Sequence, residues 1–228
     1  MSALGDLTFE VLDGSVERYA AVPAFNLKLR ITEAGGAGIH AIALRCQVRI
    51  ETQRRHYSDL EAERLMELYG EISRWGDTLK PLHFANLSQI VPRFDGSIEV
   101  DLAVPCTYDF EVAAAKYFHA LDDGEVPLLL LFSGTVFAKT ETGFAVTPVP
   151  WHKEASYRLP VRVWREVMDL YFPNSGWIRL GRDTLDALQR FKARRAMTTW
   201  DQTLEALIEA GEREDPSLGS SGLPREGR

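Results

Sequence analysis

The densest group of side chains able to do acid–base or metal chemistry is His119, Asp122, Asp123 and Glu125. One imidazole and three carboxylates this close could bind a cation or act as acid and base. The same residues surround Asp123-Gly124, and Asp-Gly belongs in a turn for backbone reasons, so a solvated turn is the favoured reading. His152, after Trp151, is a similarly weak candidate. No GxSxG, HExxH, phosphate-loop or dinucleotide-binding glycine pattern occurs. The five histidines show no ligand spacing, and the two cysteines, Cys46 and Cys106, form no CxxC. Both cysteines fall on the apolar phase of their strands and read as buried free thiols in a reducing compartment. No catalytic residue, metal or cofactor is assigned. An Asp–His pair assembled from distant segments stays open, because catalytic groups meet in space rather than in sequence.

Binding leaves a stronger trace than catalysis. Trp151, Tyr157, Trp164, Tyr171, Phe172 and Trp177 lie within 27 residues. Packing between a helix and a sheet would account for them. Alternatively, part of the set stays exposed and anchors a partner, since interface cores favour Trp, Tyr and Arg. The candidate partner-binding residues are Trp151, Tyr171, Phe172 and Trp177. The last three flank Pro173-Asn174-Ser175-Gly176, a helix stop from which aromatics can reach outward.

The elements that must hold these residues follow two rhythms. Phe25, Leu27, Leu29 and Ile31 alternate with polar residues up to the Gly35-Gly36 turn. Ile42, Leu44, Cys46, Val48 and Ile50 share one face of a second strand, with Arg45, Gln47 and Arg49 on the other. One face on a core and one in water points to antiparallel sheet. Ser58-Asp59-Leu60-Glu61 is a capping box that opens a helical insertion at about residues 58–75, which Gly70 weakens. Asp95-Gly96 reads as a hairpin turn before Ile98, Val100, Leu102, Val104 and Cys106. Residues 111–121 fit either a short helix or a strand. Leu128 to Ala138 is apolar on both phases and predicts a central strand covered on both faces.

From Pro160 the period becomes helical. Val163, Trp164, Val167, Met168, Leu170 and Tyr171 gather on one arc, and Pro160 suits a first helical position. Leu185, Leu188 and Phe191 stripe a second helix that Asp183 could cap. Trp200, Leu204, Leu207 and Ile208 stripe a third, capped by Thr199 with Gln202 and ended by Gly211.

Charge limits the partner class. The net charge of −7 argues against nucleic acid, whose phosphates need a basic face. Arg45, Arg49, Arg54 and Arg55 are expected to pair with carboxylates such as Glu99 and Asp101. Arg190, Lys192, Arg194 and Arg195 are expected near a helix C-terminus. The longest apolar run, Val126 to Phe132, is far short of the roughly 20 residues of a membrane span. No secretory signal is visible, and a cytoplasmic location is expected.

The strings HAIALRCQVRIE at 40–51, VPCTYDFEVAAAKYFHAL at 104–121, VWREVMDLYFPNSGWIRL at 163–180 and DTLDALQRFKARR at 183–195 together resemble an uncharacterised bacterial family, a domain of unknown function. The resemblance spans roughly residues 7 to 209. It implies a mainly actinobacterial protein encoded near nickel-iron hydrogenase genes. No catalytic residue is carried over from it.

The expected fold is α+β: an antiparallel β-sandwich of immunoglobulin-like architecture with one helical insertion and a C-terminal helical extension. Residues 1–150 form the sandwich, 151–211 a helical extension packed on it, and 212–228 a disordered tail. The expected function is a non-catalytic cytosolic accessory or scaffold that binds another protein, a hydrogenase subunit or maturation factor by the resemblance. The alternatives are an enzyme with an unrecognised site between sandwich and helices, or a small-ligand-binding sandwich.

Overall fold

The computed structural model describes residues 6–214, apart from 108, 110–111, 141–142 and 176–177. Two antiparallel sheets form one layer each. The first has the order β1 (Leu7–Val16), β2 (Ala24–Glu33), β5 (Ser97–Pro105). The second has the order β4 (Leu82–Val91), β3 (Ile39–Ile50), β6 (Glu125–Thr140), β7 (Gly143–Pro148), with β8 (Glu154–Pro160) also paired to β6. The sheets meet face to face. Phe9 of β1 stacks on Phe132 of β6 at 4.3 Å, and the Phe25 ring of β2 lies 5.8 Å from Phe84 of β4. The alternation read from β2 and β3 is the burial pattern observed, with Leu27, Leu29, Ile31, Ile42, Leu44 and Val48 inside. The expected α+β sandwich is the fold of this chain.

The insertion is a chain of short helical turns. Its main pieces are α1 (Asp59–Arg64), α2 (Met66–Tyr69) and α3 (Trp75–Thr78). The capping box is complete: Ser58 Oγ accepts from the Glu61 N–H at 3.2 Å, and the Glu61 carboxylate accepts from the Ser58 N–H at 3.0 Å. Gly70, at φ +71°, ends α2, because a left-handed residue cannot continue a helix. Residues 111–121 resolve to a helix, α4 (Ala113–Ala120), most of whose side chains are buried. A run of aromatic contacts, Trp75 to Tyr57 to Tyr117 to Phe118, ties the insertion to α4 and the core.

Four expectations about the strands and their pairing are corrected. Asp95-Gly96 does not close a hairpin, because β4 and β5 belong to different sheets. A turn dipeptide sets local backbone direction but not the sheet in which the next strand pairs. β6 is central but not covered on both faces: its inner residues are buried, whereas Leu129 and Leu131 are half-buried and Ser133 is exposed. Sheet follows residue 150, since β8 pairs Val126 with Leu159 and Leu130 with Ala155. Pro160 therefore ends a strand rather than starting a helix, and α5 (Val161–Tyr171) begins after it. Glu99 and Asp101 pair with Arg30 and Lys28 on the neighbouring strand β2, not with the arginines of β3.

α5 buries Val161, Val163, Trp164, Val167 and Met168 in the core. Trp164 stacks on Phe118 at 5.3 Å. The chain then divides into two compact units, Met1–Ile178 and Arg179–Arg228. The second holds α6 (Arg182–Arg194) and α7 (Trp200–Glu214). Its inter-helix turn is well defined. The Thr199 and Gln202 side chains and backbones bond reciprocally, and Lys192 Nζ donates to the Met197 and Thr198 carbonyls. The basic cluster thus sits at the C-terminus of α6, as read. The cap before α6 is Gly181 rather than Asp183. α7 runs past Gly211 to Glu214, and the rest of the expected tail, 215–228, lies outside the described residues.

Candidate functional site

The His119 group does not assemble as a site. His119 lies on α4, edge-on to the Trp164 ring at 4.8 Å. Burial, and secondarily the Arg165 charge, push its pKa down to about 4, so the imidazole is neutral near pH 7. Asp122 pairs with Arg64 at 2.5 Å, the Asp123 carbonyl accepts from Arg55, and Glu125 opens β6. A groove of roughly 500 Å³ beside His119 is lined by Arg64, Glu67, Leu68 and Lys116, with Lys116 paired to Glu67. Among the described residues, no group of three or more His, Cys, Asp or Glu side chains is placed to hold a metal ion.

A buried polar network lies nearby, in residues read from sequence only as a cap and a surface cluster. Arg55 and Glu61 pair at 2.8 Å with both side chains almost wholly buried. Glu61 also accepts from the Asp122 N–H at 2.9 Å. Burial pushes the Glu61 carboxyl up. The N–H groups of Asp122 and Ser58 and the Arg55 guanidinium outweigh it, and hold the carboxyl below its ordinary range. Tyr57 Oη donates to the Thr52 carbonyl at 2.7 Å and meets Tyr117 Oη at 2.8 Å. The network joins the insertion to α4 and to the Asp122-Asp123 loop that leads into β6. Its partners are internal, which makes it a structural clasp.

Trp151 is different. The C-terminal half of β6 pairs with β7 and its N-terminal half with β8, leaving a gap at residues 132–134. A four-residue turn, Pro150-Trp151-His152-Lys153, fills that gap. The Lys153 N–H donates to the Pro150 carbonyl at 3.1 Å, the Phe132 N–H to the Lys153 carbonyl at 2.9 Å, and the Val149 N–H to the Gly134 carbonyl at 2.9 Å. Gly134 has φ +136°, and a Cβ there would stand 2.1 Å from the Ala43 oxygen, so only glycine fits this break. Lys153 Nζ bonds Asp6 Oδ1 at 2.6 Å. Trp151, 91% exposed, is thus held on a bonded turn.

Trp151 borders an open groove of roughly 570 Å³ on the outer face of the five-stranded sheet. Ladder pairing fills that face: Arg45 sits between Ser88 and Ser133, and Gln47 between Asn86 and Leu131. Paired residues project to the same side. The result is a guanidinium, two amides, two hydroxyls and one leucine beside an exposed indole.

Tyr171 and Phe172 are elsewhere. They end α5, half-buried against the core, and Tyr171 Oη donates to the Ala20 carbonyl at 2.7 Å. Trp177 lies outside the described residues. The groove residues Gln47, Asn86, Ser88 and Ser133 carry no motif in the sequence. The polar phase of β3 marks Gln47, and no sequence signal marks Asn86, Ser88 or Ser133. Both cysteines are unpaired, and burial pushes each thiol up to about 12.

The chain belongs to a family of unknown function, DUF6084, which matches residues 4–216. No curated protein matches it. Among solved structures it is similar to the CARDB domain of a Pyrococcus furiosus protein in complex with di-metal ions. That match has 10% identity and a TM-score of 0.27, and covers 70% of this chain and 94% of that one. It is also similar to a β-glucosidase from Kluyveromyces marxianus, at 8% identity and a TM-score of 0.25, over 67% of this chain and 15% of that one. No helix among the described residues is long and apolar enough to cross a membrane.

Proposed function

We propose that the chain is a non-catalytic cytosolic accessory protein that binds another protein through the outer face of its five-stranded sheet. The observation that carries this reading is Trp151, almost fully exposed on a bonded turn at the rim of a groove that also presents Arg45. Trp and Arg are the residue types that dominate binding energy at protein interfaces. An aromatic fixed by its backbone also loses little freedom on docking. The partner we propose is a component of a nickel-iron hydrogenase system, a subunit or a maturation factor, as the family resemblance implies.

Site-specific photocrosslinking tests this. A photoreactive residue at position 151 should capture one discrete protein in native cells, and the same residue at position 30, on the outer face of the other sheet, should not. Equal capture at both positions, or none at 151, would refute the assigned face. The amides and hydroxyls of the groove favour one second reading, a polyhydroxylated small ligand stacked on the indole. Under that reading position 151 captures no protein, while native mass spectrometry of the purified chain retains a bound small molecule that Trp151→Ala loses.

A further inference from the structure

We propose that α6 and α7 form a self-association module whose partner is a second copy of this chain. The inference uses none of the Trp151 groove. It starts from a mismatch between order and burial. The inter-helix turn is bonded in detail, down to Thr203 Oγ1 donating to the Thr199 carbonyl at 2.9 Å. The helix faces are nevertheless covered only in part, with Leu188 and Phe191 half-buried. α6 has no buried residue, and among the described residues α7 buries Thr203 alone. Leu185, Trp200, Leu204, Leu207 and Ile208 all stay exposed. Helices of this length are marginal in water unless an apolar face is packed. Something must cover these stripes.

Charge selects the occupant. α6 carries Arg182, Arg190, Lys192 and Arg194 against Asp183 and Asp186. α7 carries Asp201, Glu205, Glu209, Glu212 and Glu214 against Arg213. One helix is basic and the other acidic. Among the described residues the single ion pair in this unit runs within α7, from Arg213 to Glu209 at 3.1 Å, and none joins the two helices. Lys192 is held in the turn by the Met197 and Thr198 carbonyls and the Trp200 ring, and among the described residues no basic residue of α6 is paired with an acidic residue of α7 inside the hairpin. A uniformly acidic or basic partner would complement one helix and repel the other. A second copy complements both. About a two-fold axis, α6 of each copy lies along α7 of the other, with both stripes inward and opposite charges flanking the seam. That is a closed four-helix arrangement in which each contact occurs twice.

The test uses the full chain and light scattering after size exclusion, at about 10 µM and about 200 µM, since self-association follows mass action. The mass should rise towards that of a dimer across this range. Arg190→Glu with Arg194→Glu makes both helices acidic, and Glu205→Lys with Glu209→Lys and Glu212→Lys makes both basic. Each variant alone should stay monomeric, and an equimolar mixture should recover the dimer. All five residues are exposed, so the thermal melt of the sandwich should not move. Leu204→Glu with Ile208→Glu should abolish association in every mixture. A wild-type chain that is monomeric at the higher concentration overturns the proposal and assigns the stripes to another occupant. A wild-type dimer that the variants leave intact also overturns it, because its interface then lies elsewhere.

Discussion

α5 and the α6–α7 pair present the same signal in sequence and opposite outcomes in space. All three helices have apolar stripes at helical spacing. α5 closes its stripe into the sandwich core, with Trp164 only 3% exposed. α7 leaves Trp200 41% exposed, and Ile208 more so. The difference lies in what precedes each helix. β8 delivers α5 directly onto the sheets, whereas α6 and α7 belong to a separate compact unit. An amphipathic stripe states that a face must be covered. It does not name the cover.

Substitutions sharpen this contrast. Trp164→Ala should cost about 3–5 kcal/mol, because it empties a site packed by Phe118 and His119. Trp200→Ala, measured where the chain is monomeric, should change stability by no more than about 0.5 kcal/mol, as exposed positions do. Chemical denaturation of the two variants decides it. Similar losses would mean that α7 is packed after all. Leu44→Ala and Leu102→Ala belong with Trp164, at about 2–5 kcal/mol each.

The two kinds of ion pair invite the same comparison. Glu61→Gln leaves the Arg55 guanidinium buried without its counter-charge and should cost about 3–5 kcal/mol. Glu99→Gln removes an exposed partner of Arg30 and should cost about 0–1 kcal/mol. Equal urea midpoints for the two variants would show that the clasp is more hydrated than its geometry states.

Acid should then separate two groups of the same region. The folded-state pKa of His119 lies below its ordinary 6.5, so the unfolded chain binds the proton more readily. Its contribution is full above pH 6.5 and declines as the pH falls towards about 4. Glu61 is also depressed, so its contribution is present above about 4.3 and is lost on further acidification. Denaturation midpoints measured across this range should fall in two stages, and His119→Gln should flatten the upper one. A single stage that this variant leaves unchanged would contradict the assignment.

The smallest effect is expected at the groove. Arg45→Ala and Trp151→Ala should each move stability by no more than about 0.5 kcal/mol, since neither side chain is part of the core. Capture by a photoreactive residue placed at Ser88 should nevertheless drop in both. A melt several degrees lower for Trp151→Ala would instead make the indole a packing residue.

Alternation alone located β2, β3 and the inner face of β5, because a period of two and one wet face leave a strand a single way to lie. The Ser58–Glu61 box and the Thr199–Gln202 cap were legible for the same local reason: both partners of each bond lie within three residues. The Asp95-Gly96 turn, the covering of β6 and the strand status of 154–160 were not. Each depends on which distant segment lies alongside, and nothing local encodes that. The candidate site divides in the same way. Trp151 stood out by residue type. Its bonded turn exists because β7 and β8 share one edge of β6, and its neighbours Arg45, Asn86 and Ser133 come from three strands brought together by ladder register. Local chemistry determines which faces need cover, and long-range pairing determines which residues share a face.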